Sequence, residues 1–84
     1  MEGSAQSLWE RCLPIIRNNV DEKQYRTWFE PIQIISFEKQ VLTFGLPSQY
    51  FYEFLSEHFG RLIFSVVRRV FGEGTQLKHS LMVD

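Results

Sequence analysis

The sequence predicts an α+β domain: helix, helix, strand, strand, helix, strand, with a three-stranded sheet packed on helices. Three observations carry that prediction. Apolar residues recur at helical spacing near the start of the chain and again across residues 49–71. Between these stretches lie two runs rich in β-branched and aromatic residues, split by a polar triplet. Finally, 84 residues make one domain and leave no room for a second.

The elements follow in order. Residues 1–6 are small and polar and are expected to stay disordered, leaving a single domain over 7–84. Ser7 and Glu10 form a capping-box pattern, a hydroxyl and a carboxylate each able to satisfy an orphan backbone amide. From there Trp9, Leu13, Ile16 and Val20 recur on one side, with Leu8 and Cys12 beside them. Periodicity therefore places Trp9 inward. Pro14 removes the hydrogen bond to the Glu10 carbonyl, so a bend or a shortened helix is expected. Asn18-Asn19 is a junction, since asparagine tolerates the left-handed conformation that ends helices. Asp21 caps a second helix, and Glu22 suits the positive end of its dipole. Tyr25, Trp28 and Phe29 give that helix its apolar side, and Trp28 is expected between the helices and the hairpin. Glu30-Pro31 ends it, because a residue before proline is driven towards extended geometry.

Ile32, Ile34, Ile35 and Phe37, then Val41, Leu42, Phe44 and Leu46, make a β-hairpin turning at Glu38-Lys39-Gln40. Ser48 caps the third helix, whose inward stripe on an ideal wheel is Phe51, Leu55, His58, Phe59, Leu62, Val66 and Val70. Gly60 interrupts it and implies a close approach or a break. Gly72 and Gly74 terminate it. Leu77, His79, Leu81 and Val83 then alternate with Gln76, Lys78, Ser80 and Met82 as a last strand with one buried face.

Composition narrows the function. Nine basic and ten acidic residues give a net charge of −1, which removes the bulk attraction behind non-specific nucleic-acid binding. One cysteine excludes an internal disulfide and fits a reducing cytosol. No apolar run is long enough to span a bilayer, and the opening residues lack the parts of a signal peptide. Catalytic patterns are missing too. Gly72-Glu73-Gly74 lacks the later glycine and lysine of a phosphate loop. Cys12, His58 and His79 have no metal-ligand spacing. A Cys12–His58 nucleophile pair has no local support, and Glu53 and Glu57 fall on the solvent side. The expectation is a non-enzyme with no cofactor and no metal.

Binding is what remains. Tyr50 and Phe64 fall away from the stripe of the third helix, and Arg61 and Arg68 flank Phe64. An aromatic between two arginines could stack a base or anchor a protein; the alternative is that Gly60 resets the helix phase and turns Phe64 inward.

Two stretches add a resemblance. Ser7-Leu8-Trp9-Glu10-Arg11-Cys12-Leu13 and Tyr25-Arg26-Thr27-Trp28-Phe29-Glu30-Pro31-Ile32-Gln33 resemble the N-terminal domain family of the bacterial chromosomal replication initiator DnaA. Leu42-Thr43-Phe44 and Pro47-Ser48-Gln49-Tyr50-Phe51-Tyr52-Glu53-Phe54-Leu55 extend the likeness, which covers about Ser7 to Leu81. It implies a K-homology-like fold and a bacterial, cytoplasmic interaction module. The implied partners are the replicative helicase (DnaB-type), other copies of the initiator and regulatory proteins of initiation. The family's ATP-binding AAA+ module and origin-reading helix-turn-helix are not in this chain. By position, Leu8 and Trp9 match a self-association surface, against the inward placement periodicity gives Trp9. Gln24 and Tyr50 match a helicase-binding surface, with Gln24 where well-known members carry an acid. A second reading is a K-homology-like single-strand nucleic-acid binder using Arg61, Phe64 and Arg68, although no Gly-x-x-Gly loop is present.

Overall fold

The computed structural model describes residues 4–82. Helix α1 spans Ala5–Arg17. Its cap is Ser4, whose hydroxyl accepts from the Ser7 amide at 3.1 Å, and not the Ser7–Glu10 box. Glu10 instead accepts from the Gln6 side chain at 3.2 Å. Ser4, Ala5 and Gln6 thus belong to the fold and not to a frayed end, while residues 1–3 lie outside the described residues. The helix runs one turn past Pro14, whose carbonyl accepts from the Asn18 amide at 3.1 Å. Glu10 and Pro14 both lie on the exposed side, where water can serve the carbonyl that proline leaves unpaired. Asn18 ends the helix in a right-handed conformation (φ −76°, ψ −10°), not the left-handed one expected. The closing bond comes from the Asn19 side chain, which donates to the Ile15 carbonyl at 2.7 Å.

Asp21 caps α2 (Glu22–Gln24) by accepting from the Gln24 amide at 2.8 Å. The Glu22 carboxylate takes hydrogen bonds from Arg17 at 3.0 Å and Arg26 at 3.2 Å. Those bonds, Arg17 foremost, hold its carboxyl below the usual carboxylate range. The Arg17 guanidinium also lies 4.7 Å over the Tyr25 ring, fastening the end of α1 to the next segment. The chain then widens into a π-helical turn, Tyr25–Phe29, closed by the Glu30 amide on the Tyr25 carbonyl at 3.1 Å. That bond keeps Glu30 helical (φ −62°, ψ −36°), overriding the extended geometry expected before Pro31.

Strands β1 (Gln33–Glu38) and β2 (Val41–Leu46) pair antiparallel, with Glu38 opposite Val41. Lys39 and Gln40 form the two-residue loop at φ 51° and 66°, positive at both positions as a type I′ turn requires. A bulge between Ile34 and Ser36 puts Ile35 out of register. Helix α3 spans Gln49–Phe71, capped by Ser48 on the Phe51 amide at 3.1 Å and ended by Gly72 at φ 127°. Strand β3 (Gln76–Leu81) returns parallel to β2, so the sheet order is β1-β2-β3 and β3 is an edge.

Leu42, Phe44 and Leu46 face the helices and are buried with Trp9, Cys12 and Ile16 of α1. The inner side of α3 is Phe51, Leu55, Ile63, Val66 and Val67. His58 is not part of it; the ring is exposed and tilted over Phe54 at 4.2 Å. The buried side is rotated from the ideal stripe because α3 packs on α1 and the sheet together. Gly60 neither breaks the helix nor meets a neighbour: a Cβ built there lies 3.9 Å from Ser56 Oγ. In β3, Leu77 and His79 are half-buried and Leu81 is exposed; Val83 falls outside the described residues.

Candidate protein-interaction surface

Trp9 stands first, because periodicity and resemblance pulled it in opposite directions. The structure puts its ring in the core at 2% exposure, edge-on to Phe44 with centroids 5.3 Å apart. An indole so enclosed offers no surface to a second molecule, so the assignment of Trp9 to a self-association contact is corrected. Leu8, its neighbour, is half-exposed. Cys12 is fully buried, and burial drives its thiol up to about 11 against a smaller opposing pull from Arg11. With Cys12 sealed in the core and His58 on the surface, the two make no nucleophile pair.

Tyr50 is the most exposed large apolar side chain described, at 70%. It sits in the first turn of α3, a position fixed by the Ser48 cap. Gln24 closes α2 and is half-buried, its backbone N–H donating to the Asp21 carboxylate. The Trp28 ring lies parallel to the Phe54 ring at 3.8 Å and tilts against Phe51 at 5.0 Å. Trp28 is half-buried, so this stack is partly a surface feature. It ties the segment bearing Gln24 to the helix bearing Tyr50.

Phe64 points outward at 43% exposure, since the helix keeps its phase through Gly60. Arg68 does not stand free beside it. Its guanidinium lies 5.2 Å over the Phe64 ring and its Nε donates to the Glu73 carbonyl at 3.0 Å. One face of the ring is thereby covered, which leaves less room for a stacked base. Phe64 is also ~21 Å from Tyr50 along the helix axis, from the rise per residue. Arg61, Phe64 and Arg68 are a patch of their own. Ile35, exposed at 51%, was not singled out in the sequence because it sits in an apolar setting with Ile32, Ile34 and Phe37; in the strand it faces away from Ile34 and outward. Among the described residues no group of three or more His, Cys, Asp or Glu could hold a metal ion. No described helix is long and apolar enough to cross a membrane.

Comparison with known proteins decides the family. Residues 6–69 match the model of the DnaA N-terminal domain. The chain belongs to the DnaA N-terminal domain family. Among its relatives, the chromosomal replication initiator protein DnaA of Bacteroides fragilis is 46% identical over 99% of this chain. The DnaA of Bacteroides thetaiotaomicron is 43% identical over 100% of it. The chain spans only 17% and 18% of the length of those two relatives. The fold is also that of a chain in the crystal structure of a HobA-DnaA (domain I-II) complex from Helicobacter pylori. That likeness has a TM-score of 0.73 and covers 88% of this chain and 95% of that one, at 12% identity. The matched family model is that of the N-terminal domain and not of a catalytic module.

Proposed function

We propose that this DnaA N-terminal domain is a docking module that brings the replicative helicase, and regulators of initiation, to an origin-bound initiator in the bacterial cytoplasm. The carrying observation is Tyr50: a large aromatic held 70% exposed in a well-capped first turn. An aromatic kept in water on a rigid element gives a partner a low-entropy anchor. Gln24 adds a neutral amide on the segment tied to α3 by the Trp28–Phe54 stack. A neutral group there removes any salt bridge to the partner, so the contact depends on burial of Tyr50 and only weakly on salt. Half-exposed Leu8 is an apolar residue of α1 open to self-association with other copies. That a structural relative was crystallised with HobA fits a domain built to receive proteins. Weak single contacts suffice, because several initiators on one origin raise avidity by ~10²–10⁴.

The test is an NMR titration of the isotopically labelled domain with the replicative helicase of the same organism. Shifts or broadening at Gln24, Tyr50 and their neighbours, lost in Tyr50→Ala, are the expected result. An unchanged titration of Tyr50→Ala would remove Tyr50 from the site.

A further inference from the structure

The opposite flank of α3 carries a second feature. A groove of about 330 Å³ runs between α3 and the edge strand β3, lined among others by Leu46, Leu55, Gly60, Ile63, Phe64 and Lys78. Two of its properties bear on what it could hold. The first is Gly60. The helix is continuous there, no positive φ calls for glycine, and a Cβ would meet nothing closer than 3.9 Å. A glycine inside a helix is destabilising relative to alanine, so neither backbone nor core packing accounts for it. Its effect is on the groove, whose wall it leaves without a side chain.

The second is β3 itself. Leu77, Lys78 and His79 all line the groove, although successive side chains of a strand point to opposite faces. The groove therefore reaches round the edge of the strand and is not confined to one of its faces. With β2 on one side only, the strand's other row of amides and carbonyls has no strand partner among the described residues. An edge strand facing a helix across an apolar trough is the arrangement into which an extended peptide adds as a further strand. Charge selects the occupant. No aspartate or glutamate lines the groove, Lys78 is exposed at its rim, and it makes no ion pair among the described residues.

We infer that this groove is a second docking site, taking an extended peptide that pairs with the free edge of β3, lays an apolar side chain over Gly60 and sets an acidic side chain beside Lys78. It goes beyond the Tyr50 surface and uses none of its residues.

The experiment is panning of a random-peptide phage library on the 84-residue chain, with Gly60→Leu as the counter-selected target. Leucine favours helix and fills the groove, so this variant should fold, which its melting temperature checks. Enriched peptides should share an apolar anchor and an acid. They should bind ~10-fold more weakly to Gly60→Leu and to Lys78→Glu, and equally well to Tyr50→Ala. They should also slow amide exchange at Leu77–His79. Equal affinity for Gly60→Leu, no enrichment over it, or shifts confined to the Tyr50 end of α3 would each overturn the proposal. So would oligothymidylate binding abolished by Lys78→Glu in the absence of any selected peptide.

Discussion

Replacing Gly60 by alanine should make the domain more stable. Position 60 lies in the interior of a 23-residue helix, and the new methyl would sit 3.9 Å from Ser56 Oγ, an ordinary contact. No clash subtracts from the gain. Two effects act in the same direction: alanine restricts the unfolded chain, and it covers helix backbone that glycine leaves to water. Host–guest differences put the sum at ~0.5–1 kcal/mol. For a domain of this size ~1 kcal/mol moves the melting midpoint by ~4–8 °C. Urea unfolding followed by helix ellipticity should show a higher midpoint with an unchanged slope, since the surface exposed on unfolding hardly differs. A lower midpoint would refute the reasoning, because it would mean that the helix bends or packs closely at residue 60. An unaltered one would mean that the glycine carries no local penalty, and the argument that it is retained for the groove would lose its premise.

Burial and backbone conformation dictate further outcomes. Trp9→Ala should cost ~3–5 kcal/mol, the usual loss for a buried indole, and a variant that unfolds at the wild-type denaturant concentration would return Trp9 to the surface. Cys12 should resist a thiol reagent at pH 8: a thiol raised from 9.0 to about 11 holds ~100-fold less thiolate than an ordinary one, before burial slows access further. The same shift makes neutral Cys12 a stabilising group below pH 9 whose contribution falls as pH rises from there through about 11. Rapid labelling of the native protein at pH 8 would contradict both statements. Lys39→Asn with Gln40→Gly should stabilise the hairpin by ~1 kcal/mol, since both positions have positive φ and neither present residue is suited to it; thermal melting reads the change, and a fall would show that the Gln40 side chain beside Gly74 matters more.

What could be read from the chain, and what could not, divides along physical lines. The Ser48 and Asp21 caps, the Gly72 stop and the hairpin depend on neighbouring residues only, and the sequence placed them correctly except that Glu38, expected in the turn, pairs with Val41 in the strand. The failures arose wherever a distant or competing bond decided the local state. Glu30 is helical because an amide-to-carbonyl bond five residues back outweighs the preference imposed by Pro31. Asn18 stays right-handed because the Asn19 side chain satisfies the end of α1. His58 leaves the core because α3 is wedged between α1 and the sheet, which rotates its buried side towards Ile63 and Val67. A π-helical turn and a bulge at Ile35 have no signature in a single sequence. The candidate surface was legible in one residue: Tyr50 lies off every apolar stripe and is 70% exposed.

Burial of Trp9 bears on how such a domain could associate with copies of itself. If α1 contributes, the contact must use what α1 leaves outside, and Leu8 is the half-exposed apolar residue next to the indole. Trp9 can then influence association only indirectly, by setting the position of Leu8 through its edge-on packing against Phe44. Removing the indole would weaken folding and association together, whereas Leu8→Ala should weaken association while leaving the core intact. A single half-exposed leucine buries little area, far below what a stable dimer requires. On the function proposed above, self-association through α1 would therefore belong to the crowded assembly on an origin, where many weak contacts act at once, and not to the free domain in dilute solution.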